Sequence, residues 1–355
     1  MAFPTGYTKY QNVTIDSTKV GATLTDYPCL IDLSDMDKTT DIFDTCRTDG
    51  GDIRVTLSDG TTQLAREVVS IDTTGKTGEV HVKIPSLSSS VDTVIRVWYN
   101  GTDTEPAEDS TYGKENAWNP NYKMVQHMNQ DPSGSAPQMI GSTSNNVDGT
   151  SVGSMTTGDL VDAQIGKGVN FDGSDDRIDV GTGAGFPQGT SNRTISAWFN
   201  SSSGADKIIF AYGAAASGQG ILFLLNGGLL KVGKYGENYG GNATVGLNTL
   251  NYGCAVIESS ELSIYLNDSL DSTATISAYN TGSGFADIAS FDNGAGAFFP
   301  GIIDEVRVSD IALSAEWCST EYNNQSSPST FYSVSDEQGG TPPAGNRRRR
   351  LLIAA

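Results

Sequence analysis

Histidine is nearly absent from this sequence, with two in 355 residues, and cysteine is scarce, with four. Neither His81 nor His127 has a serine, cysteine or aspartate beside it at the spacing of a catalytic triad, so each reads as a structural histidine, with a constellation assembled in space left open. The cysteines form no C-x-x-C pair, which removes zinc ribbons and thioredoxin-like redox motifs. Cys29 and Cys254 stand in the apolar runs YPCLIDL and YGCAVI, where a reduced thiol behaves as a small buried hydrophobe. No apolar run approaches the roughly 18 to 20 residues of a membrane helix; GILFLL has the length of a strand. The opening MAFPTGYTKYQNVTI has neither the basic nor the apolar region of a secretory signal, so synthesis in the cytoplasm without general export is expected.

Positive charge is also short. Lysine and arginine number 22 against 42 acidic residues, a formal net charge of −20, and four of the 22 are Arg347, Arg348, Arg349 and Arg350. Such a body repels phosphate backbones, which argues against nucleic acid as a partner, and attracts divalent cations. There is no EF-hand pattern, no E-x-D-x-E array and no repeat of fixed period.

What is present is β-sheet sequence. Glycine reaches 41, and tyrosine and phenylalanine reach 14 and 12. Short alternating runs such as DIRVTL, EVHVKI and TVIRVWYN are separated by Asp, Gly, Ser and Thr turns. In EVHVKI, Val80, Val82 and Ile84 share one face, while His81 and Lys83 are expected on a wet face. The fold class read from this pattern is all-β, two β-sandwich domains with a flexible C-terminal tail. The boundaries fall at residues 1–112, 113–335 and 336–355. A single helix is expected in LSAEWCSTEYNN, capped by Ser314.

Several stretches carry a resemblance. VTIDSTKVGATLTDYPCLIDL, GGDIRVTLSDGTTQLAREVVSID and VHVKIPSLSSSVDTVIRVWYNG resemble the domain of unknown function DUF2341. GKGVNFDGSDDRIDVG, TISAWFN and GIIDEVRVSDIALSAEW resemble a concanavalin A-like lectin/glucanase domain of the laminin G type. Gln126 stands where the connecting segment of such pairs commonly shows tryptophan. The resemblance implies a jelly-roll sandwich, an architecture that hosts lectins, adhesion modules, glycosidases and structural parts alike.

Candidate sites follow from chemistry. Asp304 and Glu305 are adjacent, so alternation places them on opposite faces, unlike the same-face carboxylates of a glycosidase cleft; one of them is expected to fix the sheet edge or to pair with Arg307, which shares the face of Glu305. Asp172, Asp175 and Asp176 crowd one glycine-containing turn; they suit Ca2+, or they simply build the turn. The resemblance, in which calcium sits at a sandwich rim, adds weight to Asp172 and brings in Asp304. For a glycan, Tyr235, Glu237, Asn238, Tyr239 and Asn242 combine rings for stacking with amides and a carboxylate, and sandwich-edge packing is the competing reading. No catalytic residue is assigned. Arg347 to Arg350 with Leu351 and Leu352 follow a Pro-Gly linker and suit docking on an acidic subunit, contact with packaged nucleic acid or a disordered solubilising end, and the apolar finish favours docking.

Together these readings give an expected non-enzymatic bacteriophage structural protein, either capsid decoration or tail component. It would be present in many copies or as a homo-oligomer, its partners other virion proteins and host surface glycans, with no membrane insertion. A polysaccharide depolymerase and an exported bacterial cell-surface adhesin are the alternatives.

Overall fold

The computed structural model describes residues 5–37, 42–276 and 279–339. The expected attachment residues Arg347, Arg348, Arg349, Arg350, Leu351 and Leu352 lie outside the described residues.

Thr77–Leu87, in which Val80, Val82 and Ile84 alternate with polar residues, is the central strand of a three-stranded antiparallel sheet, between Leu24–Asp32 and Arg66–Asp72. Val80, Val82 and Ile84 point inward to a core shared with Val13, Val55 and Val97 of a six-stranded sheet. That second sheet runs Tyr332–Val334, Lys9–Ile15, Thr93–Tyr99, Arg54–Leu57, Gln63–Leu64, and Gln338–Gly339 also pairs with Lys9–Ile15. Two of its strands therefore come from the far end of the chain: Val334 lies opposite Val13, Tyr332 opposite Ile15 and Gly339 opposite Lys9. The boundary expected at residue 335 is corrected by this pairing, since residues 332–339 complete the first sandwich. Their backbone groups cover what would otherwise be an open edge beside two buried apolar side chains.

The second sandwich faces an eight-stranded antiparallel sheet against a seven-stranded one, and the all-β expectation holds. In the eight-stranded sheet, Arg193–Ser201 lies between Asn251–Glu258 and Pro300–Ser309. Large rings fill the space between the sheets, with Phe199, Phe210 and Phe223 all fully buried.

One helix, Ala315–Ser326, joins the two sandwiches. Its start follows the sequence signal, because Ser314 Oγ accepts the Trp317 N–H at 3.2 Å. One side presses Cys318 onto Trp198, Tyr252 and Cys254 on the outer face of the eight-stranded sheet. The other side sets Trp317 against Tyr27 of the first sandwich, ring centroids 5.3 Å apart. Asn324 closes the exposed edge of Leu24–Asp32: its Oδ1 accepts the Leu30 N–H at 2.8 Å and its Nδ2 donates to the Leu30 carbonyl at 2.9 Å. Asn324→Ala strands both backbone groups in a buried place, so a loss of about 2–4 kcal/mol is expected in urea unfolding. A loss below about 0.5 kcal/mol would show that water reaches this edge.

Candidate functional site

Parity along Pro300–Ser309 determines where its carboxylates go. Ile303, Val306 and Val308 all face the sandwich core, and the interval of three between the first two breaks the alternation. A bulge supplies the extra residue: Asp304 pairs with Trp198, whereas Arg307 pairs with Ser196, and Glu305 adopts φ 53°. Asp304, Glu305 and Arg307 consequently all leave the core on the same side. The expectation that Asp304 and Glu305 point to opposite faces is corrected; the expected Glu305–Arg307 pair is present. A left-handed φ at a non-glycine residue costs about 1 kcal/mol or more, and it persists here because Glu305 is gripped from two directions.

On one side, Arg307 Nε donates to Glu305 Oε2 at 3.1 Å, and Arg307 Nη1 stands 3.3 Å from Glu321 Oε1 of the helix. The guanidinium carbon lies 4.9 Å from the centre of the Trp118 ring. On the other side, Glu305 Oε1 meets His127 Nδ1. His127 Nε2 is 3.4 Å from Glu67 Oε2, which belongs to the first sandwich. Glu67 in turn accepts Trp118 Nε1 and Ser142 Oγ, each at 2.7 Å. Burial alone would lower His127, but the Glu305 and Glu67 carboxylates flanking it raise it to about 10. Burial opposes ionisation of Glu305, yet His127 and Arg307 hold it well below the usual carboxylate range.

His81 completes the group. Its ring lies 4.8 Å from Trp118 and 5.1 Å from His127, and it is 0% exposed. The expected wet face of Thr77–Leu87 is therefore dry at His81, because the second sandwich and the Trp118 segment cover it. Asp304 Oδ2 accepts the Ile165 N–H at 2.9 Å, and burial next to the Glu305 charge pushes its carboxyl well above the usual range. Burial, and then the Glu305 charge, likewise raise Glu79 to about 8. Glu79 also lines a cleft of about 450 Å³ between the sandwiches, opposite the turn at Ile165 and Gly166. A Cβ on Gly166 would collide with the Glu79 carboxylate, and its φ of 55° also favours glycine.

The acidic turn contains its own partners. Asp172 Oδ1 accepts the N–H groups of Ser174 at 2.7 Å and Asp175 at 3.3 Å, and Asp176 Oδ2 accepts the Asp172 N–H at 3.1 Å. Carboxylate oxygens of Asp172, Asp175 and Asp176 lie within 4.8 Å of one another. Calcium takes six to eight oxygens, and here two of the carboxylate oxygens already hold the backbone, so the fit is incomplete. Asp304 does not join them. Asp172 pairs with Pro300, four residues away along an extended strand, or about 13 Å, and Asp304 faces the first sandwich instead. Asp304 therefore lies apart from the expected Asp172 and Asp175, whose neighbour in the turn is Asp176.

The expected recognition loop divides. Asn238–Tyr239 pairs back onto Leu229–Gly233, which brings Glu237 to 3.0 Å from Lys234 Nζ and within hydrogen-bonding reach of the Tyr239 hydroxyl. Tyr235 turns toward Phe291, ring centroids 5.8 Å apart, and its hydroxyl reaches Asp292 at 3.4 Å. Asn242 is anchored by Asp271, its N–H donating to Oδ2 at 3.0 Å and its Nδ2 to the carbonyl at 2.7 Å. Asn242 and Asp271 thereby line an open hollow with Asn267, Asp268 and Leu270, the last 55% exposed.

Comparison with known proteins bears on the second sandwich. Residues 172–319 match the family model of the Concanavalin A-like lectin/glucanases superfamily. No curated protein sequence matches the chain. Domain 4 of AbnA, a GH43 extracellular arabinanase from Geobacillus stearothermophilus, in complex with arabinotriose, is 18% identical with a TM-score of 0.46, covering 57% of this chain and 98% of that one. The binding domain of Paraclostridial Mosquitocidal Protein 1 is 12% identical with a TM-score of 0.43, covering 57% of this chain and 52% of that one, so the match spans about half of that toxin domain. The Ruminococcus gnavus IT-sialidase CBM40 bound to alpha2,3 sialyllactose is 14% identical with a TM-score of 0.33, covering 38% of this chain and 83% of that one. No residue role is carried over from these structures. The concanavalin-like sandwich is an architecture that serves binding and hydrolysis alike, so its own carboxylates have to decide between the two.

Proposed function

We propose that the protein holds glycans without cleaving them. The observation that carries this reading is the placement of Glu305: it is 2% exposed, bound between His127 and Arg307, and covered by both sandwiches. A glycosidase needs an acid and a nucleophile or base flanking the substrate bond in an open cleft. Here the acidic groups fasten one sandwich to the other. Polar and apolar groups suited to sugar hydroxyls and ring faces instead gather outside, at Asn242, Asp268 and Leu270 of the concanavalin-like sandwich. Leu270→Ala, at a side chain 55% exposed in this hollow, should leave the fold intact and weaken glycan retention about tenfold on an immobilised panel headed by arabino-oligosaccharides and sialyllactose. Unchanged retention would remove this hollow from the proposal.

The setting we favour is a virion, with the concanavalin-like sandwich displayed outward in many copies so that weak sites gain avidity. The first sandwich is read as DUF2341-like and acts as its support, and the Arg347–Leu352 peptide docks the protein on an acidic particle subunit. Mass spectrometry of purified particles tests this. The intact chain should be present, and a chain lacking residues 347–355 should fold but be missing.

A further inference from the structure

We propose that His81, His127 and Glu305 form a divalent transition-metal site buried between the two sandwiches, with Zn2+ the ion that fits its donors. The first reason is His81. It is fully buried, yet neither Nδ1 nor Nε2 has a hydrogen-bond partner. The Pro28 carbonyl lies close enough to favour its protonated form slightly without meeting hydrogen-bond geometry. Leaving a buried polar group unsatisfied costs about 1–3 kcal/mol, and native interiors seldom tolerate it. A ligand on the ring removes that cost.

Position supplies the second reason. One donor atom from each of His81, His127 and Glu305 lies within 4.8 Å of the other two. Ligands about 2.1 Å from a tetrahedral ion are about 3.4 Å apart, so His81 has to approach the other two while His127 Nδ1 and Glu305 Oε1, now in contact, part to that spacing as the ion enters between them. Two further carboxylate atoms, Glu79 Oε2 and Asp304 Oδ1, are buried without partners, and both groups feel the charges of Glu305 and His127. Neither lies within the 4.8 Å set, so the fourth position is left to water. Two imidazoles with a carboxylate suit zinc, whereas calcium and magnesium prefer all-oxygen shells.

Outer partners supply the third reason, because they already fix the ligands as metal sites require. With the His127 nitrogen facing Glu305 on the metal, its other nitrogen remains 3.4 Å from Glu67, itself set by Trp118 and Ser142. The second oxygen of Glu305 stays on Arg307. Binding needs both imidazoles neutral, so any proton on them leaves to solvent.

Untagged full-length protein, stripped with a chelator, exposed to ZnCl2 and desalted, should retain about one zinc per chain and melt at a higher temperature than the stripped form. His81→Phe removes no hydrogen bond, so it should fold without metal as well as the parent does. It should nevertheless lose zinc at least about tenfold and show no thermal response to it. Asp172→Asn, in the exposed acidic turn, should retain zinc. Failure of the parent to hold zinc, retention by His81→Phe, or loss in Asp172→Asn would each overturn the proposal.

Discussion

Arg307→Ala is expected to lower the stability of the chain by about 3–5 kcal/mol, because it leaves Glu321 buried without its cation and Glu305 with His127 alone. The size of the effect reflects desolvation more than the strength of the pair. Taking one partner from a buried ion pair exposes the full cost of the charge that stays behind, whereas replacing the whole group by apolar residues is often neutral. Arg307→Lys should fall between the two. It keeps the charge, but an ammonium cannot present the planar fork that here reaches Glu305 and Glu321 together while covering Trp118. Guanidinium unfolding measures both variants, and a loss below about 1 kcal/mol for Arg307→Ala would mean that water reaches the cluster.

Trp317→Ala should be similarly damaging, at about 3–5 kcal/mol. Its ring is 7% exposed, lies against Tyr27, and its Nε1 donates to the Tyr122 hydroxyl at 3.1 Å. The loss falls where the helix meets the first sandwich, so the consequence extends to cooperativity. In the parent chain, the helix, the buried ion cluster and the strand Tyr332–Val334 all tie the sandwiches together, and one unfolding transition is expected. In the variant the first sandwich should open before the second. Hydrogen exchange detects the difference as early loss of protection in Thr77–Leu87 while Arg193–Ser201 stays protected. Simultaneous loss in both would show that the coupling lies elsewhere.

The parts of this fold legible in the sequence are those set by local rules. Alternation placed Val80, Val82 and Ile84 in a core, and a serine followed by Ala-Glu-Trp started the helix. Trp198 shares its strand face with Ser196 and Asn200, so its burial under the helix and its Nε1 bond to Gln325 at 2.6 Å were not readable. What escaped depends on contacts across long separations. His81 looks solvent-facing on its own strand, and only the arrival of Trp118 and His127 makes it dry. The strand at Tyr332–Val334 pairs with a segment some three hundred residues earlier. Asp304 and Glu305 were misassigned for a different reason. Parity holds only while every residue keeps extended geometry, and nothing in GIIDEVRVSD announces that a glutamate takes φ 53°. A hint was nevertheless present: Arg66 and Glu67, and later Glu305 and Arg307, place opposite charges inside otherwise apolar strands, where charge survives only if paired.

The central claim is that the inward carboxylates hold the two sandwiches together and transform nothing. The most direct measurement is release of new reducing ends from a panel of capsular and cell-wall glycans by the purified chain, run beside Glu305→Gln. The account predicts retention of glycan with no release from either protein. Release by the parent that disappears in a folded Glu305→Gln would contradict it.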